Sequence, residues 1–263
     1  MILRALQKKM KSPIKENVNN FKSLSVLKDV IPKGGIIDSF LFFSGELEFN
    51  LGESERFIIA HTNQYVIYEF WRCAMEDPAK ISEISEFIYP IGDEKLFYVY
   101  QENWPRYKDQ FSRSALFFLL NRCSESGWIS AGKFDDKNFN PVALSHLKRF
   151  SPKNFFLTLD KANTLNEALT TSTMKGEYML LPVGKYDYNF FEYGKSKGYE
   201  MTTILHKELN NHLQNIEKKW IVLYKTHPQL FKLYENSNII MIDKYGRKTT
   251  DKENCEELVI ANF

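Results

Sequence analysis

The chain has 263 residues, of which 43% are hydrophobic and 15% aromatic. This composition excludes a largely disordered chain and suits one large domain, or a domain with an inserted lobe. The formal net charge of +2 is too small to indicate a polyanionic partner by itself, so any basic surface has to come from local clusters.

Helical and strand-like patterns alternate in the first part of the chain. Apolar residues at helical spacing, from Leu24 to Ile31, predict a helix that Pro32 and Gly34 end. The segment GIIDSFLFF predicts a buried strand that ends near Ser39, and RFIIAHTN predicts a second strand. The stretch 64–92 predicts helices on both sides of Pro78.

From about residue 75 to residue 152 the chain is rich in aromatic and charged residues and contains the helical pattern SRSALFFLLNRCSESG. Strand patterns then return in NFFLTLD, EYMLLPV, KWIVLYK, SNIIMID and EELVIANF, with helical patterns such as TTILHKELNNHLQNIEKK between them. Strands that alternate with helices predict a mostly parallel sheet with helices on both faces. We therefore predict an α/β domain with a Rossmann-like sheet over 1–74 and 153–263, with a helical lobe over 75–152 inserted into it.

The cysteines and the hydropathy indicate the compartment. Cys73, Cys123 and Cys255 are scattered and lack CxxC spacing, which favours reduced thiols over a zinc site. No apolar run approaches the length of a membrane span. We expect a soluble cytoplasmic protein, or one inside a host cell if its source is viral, without a metal.

Short motifs along nearly the whole chain resemble those of the Dam-type DNA adenine methyltransferases, in the same order and at similar spacing. The segments that carry the resemblance are IPKGGIIDSFLFFSGELEFNL, IIAHTN, SALFFLLNRCSESGWISAGKF, YMLLPVG, NFFEY and EELVIANF. The family shows EPFVGGGAVFFNL, ADIN, FxYLNR, DPPY, NFxxY and EELLITNY in these places. The resemblance implies an S-adenosylmethionine-dependent methyltransferase sheet, a helical lobe that reads DNA, and methyl transfer to an adenine amine.

The catalytic motif departs from this family. In DPPY the acid accepts hydrogen bonds from the adenine amine, and the aromatic ring stacks on the flipped base. The corresponding residues here are Leu181, Pro182, Val183 and Gly184. A leucine accepts no hydrogen bond, and the loss costs roughly 1–3 kcal/mol. We interpret LPVG as a catalytic loop that has lost its function. Tyr186 and Asp187 are the nearest substitutes, although ordinary loop residues look the same.

The cofactor motifs also depart from those of the family, and these changes also disfavour activity. Asp38 keeps the first acid of the family motif, and Gly45 keeps one small position. Phe42 and Phe43 stand near glycine positions that let the cofactor approach the backbone. His61 replaces the aspartate that holds the ribose hydroxyls in the family. From this degenerate pocket we expect that the chain binds no cofactor. If the chain is active, we expect its cofactor to be S-adenosylmethionine.

Basic residues gather with aromatic ones in the predicted lobe and in the loop DKYGRKTTDKEN. Such clusters suit phosphate contact, although a solvated helix face gives the same pattern. Arg122, within the family-like LNR, can touch phosphate or brace its helix equally well. The candidate DNA contacts are Arg106, Lys108, Arg113, Arg122, Lys148, Arg149, Lys244, Arg247 and Lys248.

Three functional hypotheses follow. The first is a catalytically inactive Dam-like homologue that binds double-stranded DNA or a partner, such as an active methyltransferase subunit or a second copy. The second is an active adenine-specific DNA methyltransferase with a rebuilt pocket. The third is a protein-interaction scaffold without nucleic acid, in which the aromatic residues of the lobe form the interface. Cofactor binding separates the first from the second, and salt-dependent DNA binding separates both from the third.

Overall fold

The computed structural model describes residues 9–16, 20–89, 94–129, 132–186 and 204–263. Eight strands form one sheet. The strands are β1 Ile36–Ser39, β2 Phe57–Thr62, β3 Phe155–Leu159, β4 Tyr178–Gly184, β5 Lys219–Lys225, β6 Asn238–Asp243, β7 Lys248–Thr249 and β8 Cys255–Ala261. The α-helices are α1 Leu24–Val30, α2 Glu46–Gly52, α3 Tyr65–Glu76, α4 Pro78–Ile88, α5 Glu94–Asn103, α6 Gln110–Arg122, α7 Pro141–Lys148, α8 Leu165–Thr171, α9 His206–Gln214 and α10 Pro228–Leu233.

The strand order is β3-β2-β1-β4-β5-β8-β6-β7. Neighbours from β3 to β5 pair in parallel, whereas β8 runs antiparallel to both β5 and β6. The order reverses between β1 and β4, which is the switch point of a doubly wound sheet. The predicted α/β class with a Rossmann-like sheet is confirmed.

Local sequence explains where the helices begin. Asp77 accepts a hydrogen bond from the Lys80 amide at 3.0 Å, and Pro78 occupies the first turn of α4. Asn140 caps α7 in the same way, again with a proline in the first turn. A side-chain oxygen at the cap satisfies an amide that the helix leaves unpaired, and proline has no amide to satisfy.

The helices α4 to α7, which cover most of the predicted lobe over 75–152, lie in the chain between β2 and β3. The predicted boundary near residue 75 falls at the last turn of α3, which ends at Glu76. Phe70 of α3 stacks on Phe117 of α6 at 4.7 Å between ring centroids. One apolar core therefore runs from the sheet into the lobe, while a second core lies under α8, α9 and α10.

The strand predicted from EYMLLPV is confirmed, and β4 continues through Gly184. LPVG is therefore the end of this strand, and its interpretation as a loop is wrong. The register with β5 shifts between Pro182 and Gly184, and Gly184 has φ +84°. This irregularity accommodates a proline that has no amide to donate to the ladder.

The three cysteines are buried and form no disulfide. Among the described residues, no helix is both long enough and apolar enough to cross a lipid bilayer.

Candidate functional site

The candidate site is the crevice at the carboxyl ends of β1 and β2, beside the switch point of the sheet. Open α/β sheets bind ligands outside these strand ends. Here the crevice is formed by the residues that follow β1, the end of β2 with the start of α3, and the connection from β3 to α8. The first two of these are also the places to which the family resemblance assigns the cofactor.

His61 lies between two carboxylates at this crevice. Its Nε2 is 3.0 Å from Oδ1 of Asp38, and its Nδ1 is 3.2 Å from Oδ2 of Asp160. The second oxygen of Asp38 accepts the Gly176 amide at 2.7 Å and lies 3.6 Å from the Lys218 ammonium. Both imidazole nitrogens are therefore occupied, and the Asp38 carboxylate is held on two sides.

The carboxylates change the protonation of the imidazole. Burial alone would lower the pKa of His61, but hydrogen bonds to Asp160 and Asp38, and their charges, raise the pKa to about 9. Burial alone would raise the pKa of Asp38. The hydrogen bonds from His61 and Gly176 outweigh this effect, so the pKa of Asp38 is lowered. At neutral pH the arrangement is an imidazolium between two carboxylates, with both of its N–H groups donating.

Phe40 covers this ion cluster. Its ring stacks on the His61 imidazole with centroids 4.5 Å apart and planes 13° apart. The crevice that remains has a volume of about 40 Å³. Pockets for ligands of cofactor size are about 300 Å³ or larger. A ligand of the size of S-adenosylmethionine therefore does not fit this crevice as its residues are arranged. His61, at the position that the resemblance assigns to the ribose, is already bonded at both nitrogens.

The phenylalanines assigned to the glycine positions behave differently from each other. Phe42 is 2% exposed and packs against Phe49 and Trp71 in the core. Phe43 is half-buried, and its carbonyl accepts the Trp71 indole N–H at 2.7 Å. Gly45 has φ +69°, and a Cβ there would lie 2.5 Å from the Phe49 ring. This loop is shaped by core packing rather than by an approach to a ligand.

The residues at and after LPVG are also engaged in packing. Leu181 is fully buried, and Val183 is 5% exposed. The Tyr186 ring stacks on His206 and on His227, at 4.5 and 4.4 Å between centroids. The ring is therefore already engaged in stacking within the protein. Asp187 and the NFFEY segment lie outside the described residues.

A second polar group at the carboxyl end of β1 was not predicted from the sequence. The Ser39 hydroxyl donates to Oε1 of Glu48 at 2.9 Å, and the Ser44 hydroxyl donates to Glu16. Burial raises the pKa of Glu16 to about 8, and the negative charges of Glu48 and Glu46 act in the same direction. The hydrogen bond from Ser44 opposes this rise but does not cancel it. The sequence contains no signal for this group, because Glu16 is remote from β1 in the chain. Asp160 and Phe40 were missed as well, although each follows a recognisable strand.

Asn121 and Arg122, the most literal family-like residues of the lobe, hold the segment that precedes α1. Arg122 donates from Nε to the Pro13 carbonyl at 2.6 Å. The Asn121 side chain accepts the Lys15 amide at 2.6 Å and donates to the Lys15 carbonyl at 2.9 Å. Burial lowers the pKa of Arg122 to about 10. The guanidinium therefore bonds to the segment before α1 rather than to its own helix, which is a third role beside the phosphate contact and the helix bracing that were predicted.

Several other predicted DNA contacts have protein partners. Arg113 donates from Nε to Glu69 at 2.7 Å, and Lys148 is 2.9 Å from Glu86. Lys248 is 3.6 Å from Asp29.

The remaining predicted contacts lie at the surface. Lys244 and Arg247 lie near the exposed Tyr245 ring, at 5.1 and 4.9 Å from its centroid, and Arg247 also pairs with Asp243 at 3.2 Å. Arg106, Lys108 and Arg149 are exposed. The nine cations therefore do not form one uniform surface.

No protein-family model matches this sequence, and no curated protein matches it. Solved structures that match include a TehB-like SAM-dependent methyltransferase from Corynebacterium glutamicum, with 6% identity, 92% of this chain and 86% of that chain covered, and a TM-score of 0.38. Another is a predicted O-methyltransferase from Agrobacterium tumefaciens, with 6% identity, 92% and 79% covered, and a TM-score of 0.36. Similarity at this level identifies neither the activity nor the substrate of this chain.

Proposed function

We propose that this chain is a catalytically inactive homologue of the Dam-type adenine methyltransferases, which acts by binding DNA or a partner protein. The observation that carries the proposal is the closed crevice. The Phe40 ring lies on an imidazole that bridges Asp38 and Asp160, in the place where a methyltransferase of this kind needs room for its cofactor.

Opening the crevice has an energetic cost. The ring of Phe40, which is 1% exposed, would have to leave the core. His61 would have to give up two charge-assisted hydrogen bonds, each worth about 1.5–3 kcal/mol. The cofactor would have to recover this energy without a carboxylate free to hold its ribose. The absence of an acid at LPVG and the stacking of Tyr186 within the protein support the same conclusion.

The first test is calorimetric titration of the folded protein with S-adenosylmethionine and S-adenosylhomocysteine. We expect no saturable heat with either ligand at millimolar concentration. The variant Phe40→Ala removes the ring and serves as the matched comparison, because binding by this variant alone would identify the ring as the block. Saturable binding of one cofactor per wild-type chain would refute the proposal, and a methylation assay on adenine-containing duplex DNA would then follow.

The binding partner is tested separately, by fluorescence anisotropy with a labelled DNA duplex. If DNA is the partner, the affinity falls linearly with salt on a log–log scale. The double variant Lys108→Ala/Arg149→Ala removes two exposed cations of the lobe and should weaken binding, whereas Lys33→Ala, remote from the lobe in the chain, should not. Absence of salt-dependent binding would reject DNA and leave a protein partner.

A further inference from the structure

The face of the sheet opposite the lobe is incompletely covered at its β3 edge. The helix between β3 and β4 is α8, with seven residues. Ile36, Phe57 and Phe156 are 38%, 41% and 59% exposed. In the strand register Ile36 pairs with Phe57, and Ile59 pairs with Phe156, so these side chains share one face. A sheet face of this kind is normally buried by its crossover helix.

A groove of about 930 Å³ lies along this face, between the sheet and the chain after α8. Ile59, Phe156 and Leu159 form its apolar part. Its polar part contains the hydroxyl residues of 171–173 and the ammonium groups of Lys161 and Lys175. The volume is that of a site for a small organic molecule.

The charges of the groove are unbalanced. At its base the protonated His61 and the nearby Lys218 offset Asp38 and Asp160. Lys161 and Lys175 are exposed, and neither forms an ion pair with a carboxylate of the described residues. Two positive charges therefore face the groove without compensation.

We propose that this groove binds a small organic anion with an apolar body. The body packs on Ile59 and Phe156, where it removes exposed apolar surface from water. The anionic group lies at Lys161 and Lys175, with the hydroxyls of Ser172 and Thr173 as further donors, whereas the Thr171 hydroxyl already donates to the Glu167 carbonyl. The site is distinct from the closed crevice, although His61 and Asp160 contribute to both. The proposal does not depend on whether the chain is an active methyltransferase.

The test uses the fluorescent probe 1-anilinonaphthalene-8-sulfonate, an aromatic anion, with the wild-type protein. Decanoate and decyltrimethylammonium, which pair similar tails with opposite charges, compete for the probe below their micellar concentrations. We expect decanoate to displace the probe at a concentration at least about fivefold lower than decyltrimethylammonium does. Equal competition by the two would overturn the assignment of an anion site.

Variants locate the site. Lys161→Ala/Lys175→Ala and Phe156→Ser should each weaken probe binding by about fivefold or more. Lys137→Ala and Phe87→Ser are the matched controls, because these side chains are also exposed, at 85% and 90%. The controls should bind as the wild type does. Unchanged binding by Phe156→Ser, with a wild-type circular-dichroism spectrum, would overturn the proposal.

A second copy of the chain is the rival occupant of this face. Sedimentation velocity of the wild type and of Phe156→Ser, without probe, distinguishes it. We expect the wild type and Phe156→Ser to have the same oligomeric state. A wild-type dimer that becomes a monomer in Phe156→Ser would overturn the proposal, because the groove would then be an interface between copies.

Discussion

The ion cluster around His61 makes the stability of the protein depend on pH. The pKa of His61 rises from an ordinary value of 6.5 to about 9 in the folded state. A group whose pKa is raised by folding contributes stability that is complete below the unfolded pKa and is lost as pH rises through the folded pKa. The shift corresponds to about 3 kcal/mol. About 2 kcal/mol of this remains at pH 7.4, and almost none remains at pH 10.

The assay is urea denaturation of the wild type and of His61→Gln at a series of pH values from 6 to 10. Glutamine donates to a carboxylate but carries no charge to lose, so the difference in unfolding free energy between the two proteins isolates the imidazolium. We expect this difference to fall by about 3 kcal/mol across the series. His212→Gln, at a partly exposed histidine, should retain the wild-type profile.

Two results would refute this reasoning. One is a stability difference between wild type and His61→Gln that stays constant across the series. The other is an imidazole that titrates near 6.5 by NMR in the folded protein. Either would mean that Asp38 and Asp160 do not hold His61 in its charged form.

Three further predictions concern the packing around the site, and urea denaturation measures each of them. Arg122→Ala should lower the free energy of unfolding by about 2–3 kcal/mol and speed proteolysis of residues 9–16, since carbonyls that the guanidinium holds lose their donor; unchanged stability would contradict this role. Gly45→Ala should cost about 2 kcal/mol or more, because φ is +69° and the new methyl meets the Phe49 ring; a neutral effect would show that the loop can relax. Glu257→Ala should cost about 3 kcal/mol, because this fully buried carboxylate accepts from Ser23 and Lys225; a loss below about 1 kcal/mol would mean that water replaces it.

The proposed loss of activity rests on several substitutions that now support one another in space. With no acid at the ribose position, His61 is free to bridge Asp38 and Asp160, and the bridge in turn gives Phe40 a surface on which to stack. Each change is compatible with a closed crevice and unfavourable for an open one. A single reversal at LPVG would therefore not restore the reaction, because the cofactor crevice would stay filled.

Local sequence patterns were enough to predict the secondary-structure elements with a strong periodicity and their arrangement in one α/β sheet. The strands β1 to β6 and β8, and the helices on both sides of Pro78, follow from apolar patterns and from turn residues nearby in the chain. These signals are local, because a period of two or 3.6 residues reports which face of an element is buried. The short strand β7 has too few residues to show a period, so it was not predicted.

The state of the site depends on contacts between segments that are distant in the chain. His61 reaches Asp38, 23 residues earlier, and Asp160, 99 residues later, so neither contact leaves a local pattern. The continuation of β4 through LPVG depends on pairing with β5, and the role of Arg122 depends on a segment 109 residues away. Residue types define which hydrogen bonds and charges a side chain can offer, but packing of distant segments selects the partner and thereby closes or opens a site.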